Sequence, residues 1–203
     1  MIERSCRQPC LAAAILFLLV SFPAASGAAE RRSWTTLTDC EYMSSKDNDG
    51  DSFRVRCNTN EFVLRLYFVD APETTLTYPE RVRQQSEHFG ITLDATLKAG
   101  IKARERAKRL LQEHFVVITR WAIAAGRGRE PRYYGIVEVD GKSLAEVLIK
   151  EGLAQAKGIA PSPPTGEKSG AYRERLQALE REAHRQRTGA WAGAAESKDE
   201  NRN

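Results

Sequence analysis

Two strands and the turns that bound them are written into Ser52–Pro72, and they commit this chain to a β-sheet with an acidic end. Ser52-Phe53-Arg54-Val55-Arg56-Cys57 alternates apolar and charged residues with period two, the pattern of a half-buried strand. Asn58-Thr59-Asn60 supplies a tight turn. Phe62 to Val69 follows as a more continuously apolar, more deeply buried strand, and Pro72 ends it. The pair also fixes where charge is delivered. The second strand carries Arg65 and sets Asp70, Ala71 and Glu73 around the proline, while Asp49-Gly50-Asp51 leads into the first.

Further strands are expected from near Leu37, at Phe115–Trp121, which is β-branched and aromatic, and at Tyr133–Val139, which turns at Asp140-Gly141. Leu97, Ile101, Ala107, Leu110 and Leu111 recur at helical spacing and predict an amphipathic helix over Leu97–His114. Ser143 followed by Glu146 reads as a capping box opening a helix through Leu153. Ala171–Arg187 predicts a last, charged helix with a thin apolar stripe of Tyr172, Leu176 and Leu179. Thr74–Thr96 is polar and weakly periodic, a long loop with one short helix. Gly126–Pro131 is a basic loop.

With 203 residues, 41% hydrophobic and 29% charged, the chain holds one domain plus processed or flexible ends. Its net charge of +4 is compatible with a polyanionic partner but far from that of a dedicated charge-driven nucleic-acid binder. Residues 1–29 read as a signal peptide: Arg4 and Arg7, an apolar run from Leu11 to Val20, then small residues before a cut between Gly27 and Glu30. That leaves a domain over 30–191 and a disordered polar tail over 192–203, secreted or periplasmic, with no membrane attachment after cleavage. Cys6 and Cys10 leave with the signal. Cys40 and Cys57 flank the turn at Asp47–Gly50, so a hairpin there brings them side by side, either as a disulfide contributing about 3 kcal/mol or as two buried thiols.

The acidic strand end has the parts of a phosphodiesterase. Asp51 and Asp70, with the Ala71 carbonyl, offer hard oxygens to Ca²⁺ and leave its other positions to water and a phosphate oxygen. Glu73 is placed to hold the attacking water, and Arg65 and Arg132 to grip the phosphate through planar guanidinium groups. Arg65 and Asp70 are an odd number of residues apart, so an ideal strand points them to opposite faces; a twist, bulge or barrel curvature must re-aim one of them. An EF-hand is excluded, because the glycine of Asp47–Asp51 is misplaced and Asn58 stands where that loop needs its closing Glu.

Asp49-Gly50-Asp51-Ser52, Arg65 to Glu73, Arg132-Tyr133-Tyr134-Gly135 with Asp140-Gly141-Lys142, and Gly152-Leu153-Ala154 together resemble the staphylococcal nuclease (thermonuclease) family in order and spacing, over roughly Leu37 to Trp191. The resemblance implies an α+β fold, a five-stranded OB-type β-barrel with about three α-helices. It implies calcium held by Asp51, Asp70 and Ala71, catalysis by Arg65, Glu73 and Arg132, and hydrolysis of DNA and RNA to 3′-phosphate ends by a monomer. Arg127, Arg129 and Tyr133 are candidates for substrate binding. Gly158 and Ala160 stand where the family has two pocket tyrosines, and Tyr78, Arg81, Arg83 and Phe89, in a longer loop after Glu73, are candidates to replace them.

His88, His114 and His184 have no metal-ligand spacing, and Trp34, Trp121 and Trp191 are expected to pack. Two rival readings remain. One is the same barrel binding nucleic acid or protein without turnover; the other is an envelope interaction protein using its basic last helix.

Overall fold

In the computed structural model, the residues described are 33–125, 130–158 and 160–194. The segment expected to be a signal peptide, Arg127 and Arg129, and the expected tail beyond Ala194 lie outside them. The strands are β1 (Thr35–Met43), β2 (Ser52–Cys57), β3 (Asn60–Leu66), β4 (Val69–Asp70), β5 (Phe115–Ile123), β6 (Arg132–Val139), β7 (Lys142–Ser143) and β8 (Gln155–Ala156). The helices are α1 (Pro79–Phe89), α2 (Leu93–Leu110), α3 (Leu144–Lys150) and α4 (Ser169–Arg185), followed by a 3₁₀ turn over Gly189–Ala194. None of these helices is long and apolar enough to cross a membrane.

The sheet runs β3-β2-β1-β5-β6-β7, and β3 also pairs in parallel with β6. That extra pairing closes the five long strands into the OB-type barrel of an α+β domain. Closure needs bends, and they fall at register shifts in β1 between Leu37 and Cys40 and in β5 between Thr119 and Ile123. Asp39 and Trp121 take positive φ at those bends. Inward positions alternate as the period-two pattern requires, and Phe53, Val55, Leu64, Leu66, Val117 and Val137 fill the interior.

Cys40 and Cys57 are register partners across β1 and β2 and are joined as a disulfide. Replacing both by Ser is expected to lower unfolding free energy by about 3 kcal/mol, the chain-entropy cost of freeing this loop. Urea denaturation with and without reductant measures it; identical curves for the oxidised and reduced protein would remove the stabilising role.

Four sequence expectations are corrected. Thr74–Thr96 is not mainly loop: it contains α1 and the start of α2, two of the four α-helices among the described residues. On α2 the buried face is Thr96, Ala99, Gly100, Ala103 and Ala107, whereas Ile101 is exposed. Ser143 caps no helix with its side chain; its hydroxyl meets the Tyr172 hydroxyl at 3.1 Å, and Glu146 pairs with Arg175 instead of closing a capping box. Phe89 is core rather than pocket wall, packed against Trp191 at a ring separation of 4.6 Å. The last helix packs on the barrel through Leu176 and through Tyr172, whose ring meets Phe68 at 4.8 Å, so its apolar stripe serves the fold.

Candidate active site

The break between β3 and β4 makes the site. Phe68 sits in the left-handed region at φ 67, a conformation β-strands do not contain, and it reverses the facing of the residues that follow. Arg65 and Asp70 therefore reach the same side, with Nη2 of Arg65 2.9 Å from Oδ1 of Asp70. Nη1 of Arg65 donates to Oδ1 of Asp51 at 2.6 Å. Oδ2 of Asp51 accepts from the Ala71 backbone N–H at 2.6 Å, tying the turn before β2 to the turn after β4. Asp49 shapes the first of these turns, its Oδ1 accepting from the backbone N–H groups of Asp51 and Ser52.

Arg132 joins through β6. Its partner across the parallel pairing is Val63, and Tyr134 is the partner of Arg65. Nη1 of Arg132 and Nη1 of Arg65 each lie 3.3 Å from the Ser52 hydroxyl, which itself donates to Asp51. Tyr133, the next residue along, packs its ring against Trp121 and Phe62 at 5.5 and 6.1 Å. Tyr78 and Arg83 are exposed, Arg83 on Glu80.

Asp70 is the centre of charge. It is 3% exposed and takes five donors: Arg65 and Arg81 on Oδ1, and Gln85, Gln155 and Lys157 on Oδ2. Burial pushes its carboxyl up, but Arg65, Arg81 and Lys157, with the Gln85 hydrogen bond, more than reverse this and hold it below the usual carboxylate range. Gln85 also donates to the Ala71 carbonyl at 2.9 Å and accepts from the Glu73 N–H at 2.8 Å. Glu73 in turn accepts from Nε of Arg81 at 2.7 Å. Gln85, Gln155 and Lys157 are the site residues that sequence reasoning missed. The signals for them were the i,i+4 spacing of Arg81 and Gln85, and the alternation of Gln155 and Lys157 just after Gly152-Leu153-Ala154.

The donor chemistry suits a hard cation. Burial first, then the adjacent Asp51 charge, push the Asp49 carboxyl well above its ordinary range, with Arg65 opposing. Asp49 is half-buried beside the fully buried Asp51, which Arg65 already neutralises in part, and an oxygen-preferring divalent ion would offset the repulsion that remains between them. Among the described residues no group of three or more His, Cys, Asp and Glu side chains forms a metal-holding cluster. An open shell completed by water and substrate is the arrangement left to such an ion. Asp51, Asp70 and the Ala71 carbonyl are already hydrogen-bonded, so all three would have to share or release these donors.

A closed OB-type barrel thus gathers carboxylates and guanidinium groups at one strand end. A family model for staphylococcal nuclease homologues matches residues 63–193, and the chain belongs to that family, a family of nucleases. The match begins inside β3, so Asp49, Asp51 and Ser52 reach the site from outside the matched span. No curated protein matches the chain.

Proposed function

We propose that the protein is a secreted or periplasmic, calcium-dependent nuclease that hydrolyses DNA and RNA with little sequence preference, leaves 3′-phosphate ends, and acts as a monomer away from the membrane. The convergence of Asp51, Asp70, Glu73, Arg65 and Arg132 on one strand end carries this reading. Asp51, Asp70 and the Ala71 carbonyl would hold the ion, with Asp49 beside them. When bound, calcium supplies positive charge to the phosphoryl oxygens. Glu73 holds the attacking water and takes its proton as the new P–O bond forms. Arg65 and Arg132 donate hydrogen bonds to the phosphoryl oxygens, where charge builds up as the P–O5′ bond breaks. Burial pulls the Arg65 pKa down, and the charges of Asp51, Asp70 and Asp49 raise it further than that. Arg65 therefore stays charged and assists the leaving 5′-oxygen by hydrogen bonding, while solvent supplies the proton.

The test is hydrolysis of plasmid DNA and single-stranded RNA by the mature chain in calcium and in chelator, with end-group analysis. Calcium-dependent cleavage to 3′-phosphates is expected. Binding without cleavage would favour the alternative, a nucleic-acid or protein binding module of the envelope. Glu73→Gln should lower turnover about 100-fold, the low end for loss of a general base because the amide still positions the water. Turnover equal to wild type would take that role from Glu73. N-terminal sequencing of exported protein checks the cut between Gly27 and Glu30.

A further inference from the structure

Helix α1 presents Arg81 and Gln85 one turn apart to the Asp70–Glu73 turn, and the two residues differ in kind. Gln85 is buried and both ends of its amide are satisfied by that turn, which makes it a brace. The Arg81 side chain is 41% exposed, against 14% for Arg65. Its Nη2 shares Oδ1 of Asp70 with Nη2 of Arg65, both at 2.9 Å, so a single oxygen holds two guanidinium groups side by side. Asp70 does not need that second guanidinium. Arg65, Lys157 and the amides of Gln85 and Gln155 remain on it without Arg81. The row Arg132–Ser52–Arg65–Asp70–Arg81 is thus a line of three guanidinium groups, in which the one on α1 is more exposed than Arg65.

We propose that Arg81 is a substrate-binding residue that takes a phosphate of the nucleic-acid strand. Without substrate it rests on Asp70 and Glu73. With substrate it turns to the phosphate, leaving Oε1 of Glu73 for the water. Cation bound among the acidic groups strengthens the exchange, because those carboxylates then need Arg81 less while the phosphate needs it more. The inference rests on the nuclease reading and deepens it by placing another phosphate contact on α1.

The experiment titrates a fluorescein-labelled single-stranded phosphorothioate oligodeoxynucleotide in calcium over a range of salt, with wild type, Arg81→Gln and Arg81→Lys. Arg81→Gln should weaken binding about tenfold at low salt and reduce the slope of log K against log salt by about 0.7, the share of one single-strand phosphate contact. Arg81→Lys should restore the slope, because it keeps the charge. An unchanged slope in Arg81→Gln overturns the proposal. If Arg81→Gln does not fold, Arg81→Lys alone decides: about threefold weaker binding at wild-type slope is expected from loss of the planar fork, and wild-type affinity overturns the proposal. Wild type that neither binds nor cleaves the natural strand sinks the nuclease reading itself. Wild type that does both, with Arg81→Gln of unchanged slope, sinks only the role of Arg81.

Discussion

Asp70→Asn is expected to cost about 4 kcal/mol of folding free energy in chelator, where metal binding contributes nothing. Removing one member of a buried, hydrogen-bonded charge cluster leaves its partners uncompensated, at about 3–5 kcal/mol. Here the partners are three cations, Arg65, Arg81 and Lys157. Lys157 and Arg81 are exposed enough to turn toward water, which limits the loss; Arg65 is held among Asp51, Asp70 and Ser52 and has no such escape. In a domain of this size the midpoint of thermal unfolding should fall by about 8–16 °C, at about 2–4 °C per kcal/mol. The sign of the pH dependence follows from the carboxyl being held below its usual range. Its stabilisation is fully present above the unfolded carboxyl pKa of about 4 and disappears as pH falls through the lower folded value. The gap between wild type and Asp70→Asn should therefore be constant near neutrality and close in acid. A loss under about 1 kcal/mol at neutral pH would show the five donors around Asp70 to be incidental, since that is the scale of an exposed ion pair.

Where side-chain chemistry and period agree, the sequence was readable. β2 spans Ser52–Cys57 as its alternation predicts, and the register pairing of Cys40 with Cys57 follows from the turn between them. The re-aiming of Arg65 and Asp70 could be stated as a requirement but not located, because the residue that accomplishes it is Phe68. A phenylalanine at positive φ leaves none of the glycine or asparagine signature that marks such conformations. Helix α1 was hidden for a chemical reason. Its buried positions are Val82, Gln85 and Phe89, and the polar one among them braces the acidic turn, which interrupts the apolar period. The alternation of Gln155 and Lys157 marks a shared face, but only the β4–β8 pairing sets that face beside Asp70.

Gly100→Ala is expected to destabilise the protein by about 4 kcal/mol and to displace the Pro72-Glu73 turn, although helix propensity alone favours alanine by about 1 kcal/mol. The same residue accounts for the buried face of α2 lying on small residues rather than on its large apolar ones. A Cβ at Gly100 would lie 2.2 Å from the Glu73 carbonyl oxygen and 2.5 Å from that of Pro72. Both obstacles are backbone, so no rotamer change relieves them, and either α2 or the Pro72-Glu73 turn must move. Overpacking of this kind costs about 1–3 kcal/mol where side chains yield, and more where they cannot. The turn is tied by Gln85 to the Glu73 N–H, by Asp51 to the Ala71 N–H, and by Arg81 to the Glu73 carboxylate. Moving it strains all three together. The small inward face Ala99, Gly100, Ala103 and Ala107 is thus a condition of bringing the carboxylates close to the barrel rather than a weak apolar stripe. Ala103 repeats the requirement toward the other turn, because a Cβ at Gly50 would stand 2.8 Å from the Cβ atoms of both Ala103 and Ala71. Urea denaturation and single-turnover cleavage of Gly100→Ala separate the two effects. A variant as stable as wild type would mean that the helix and turn part freely, and the tight seating of Glu73 on α2 would lose its role in the site.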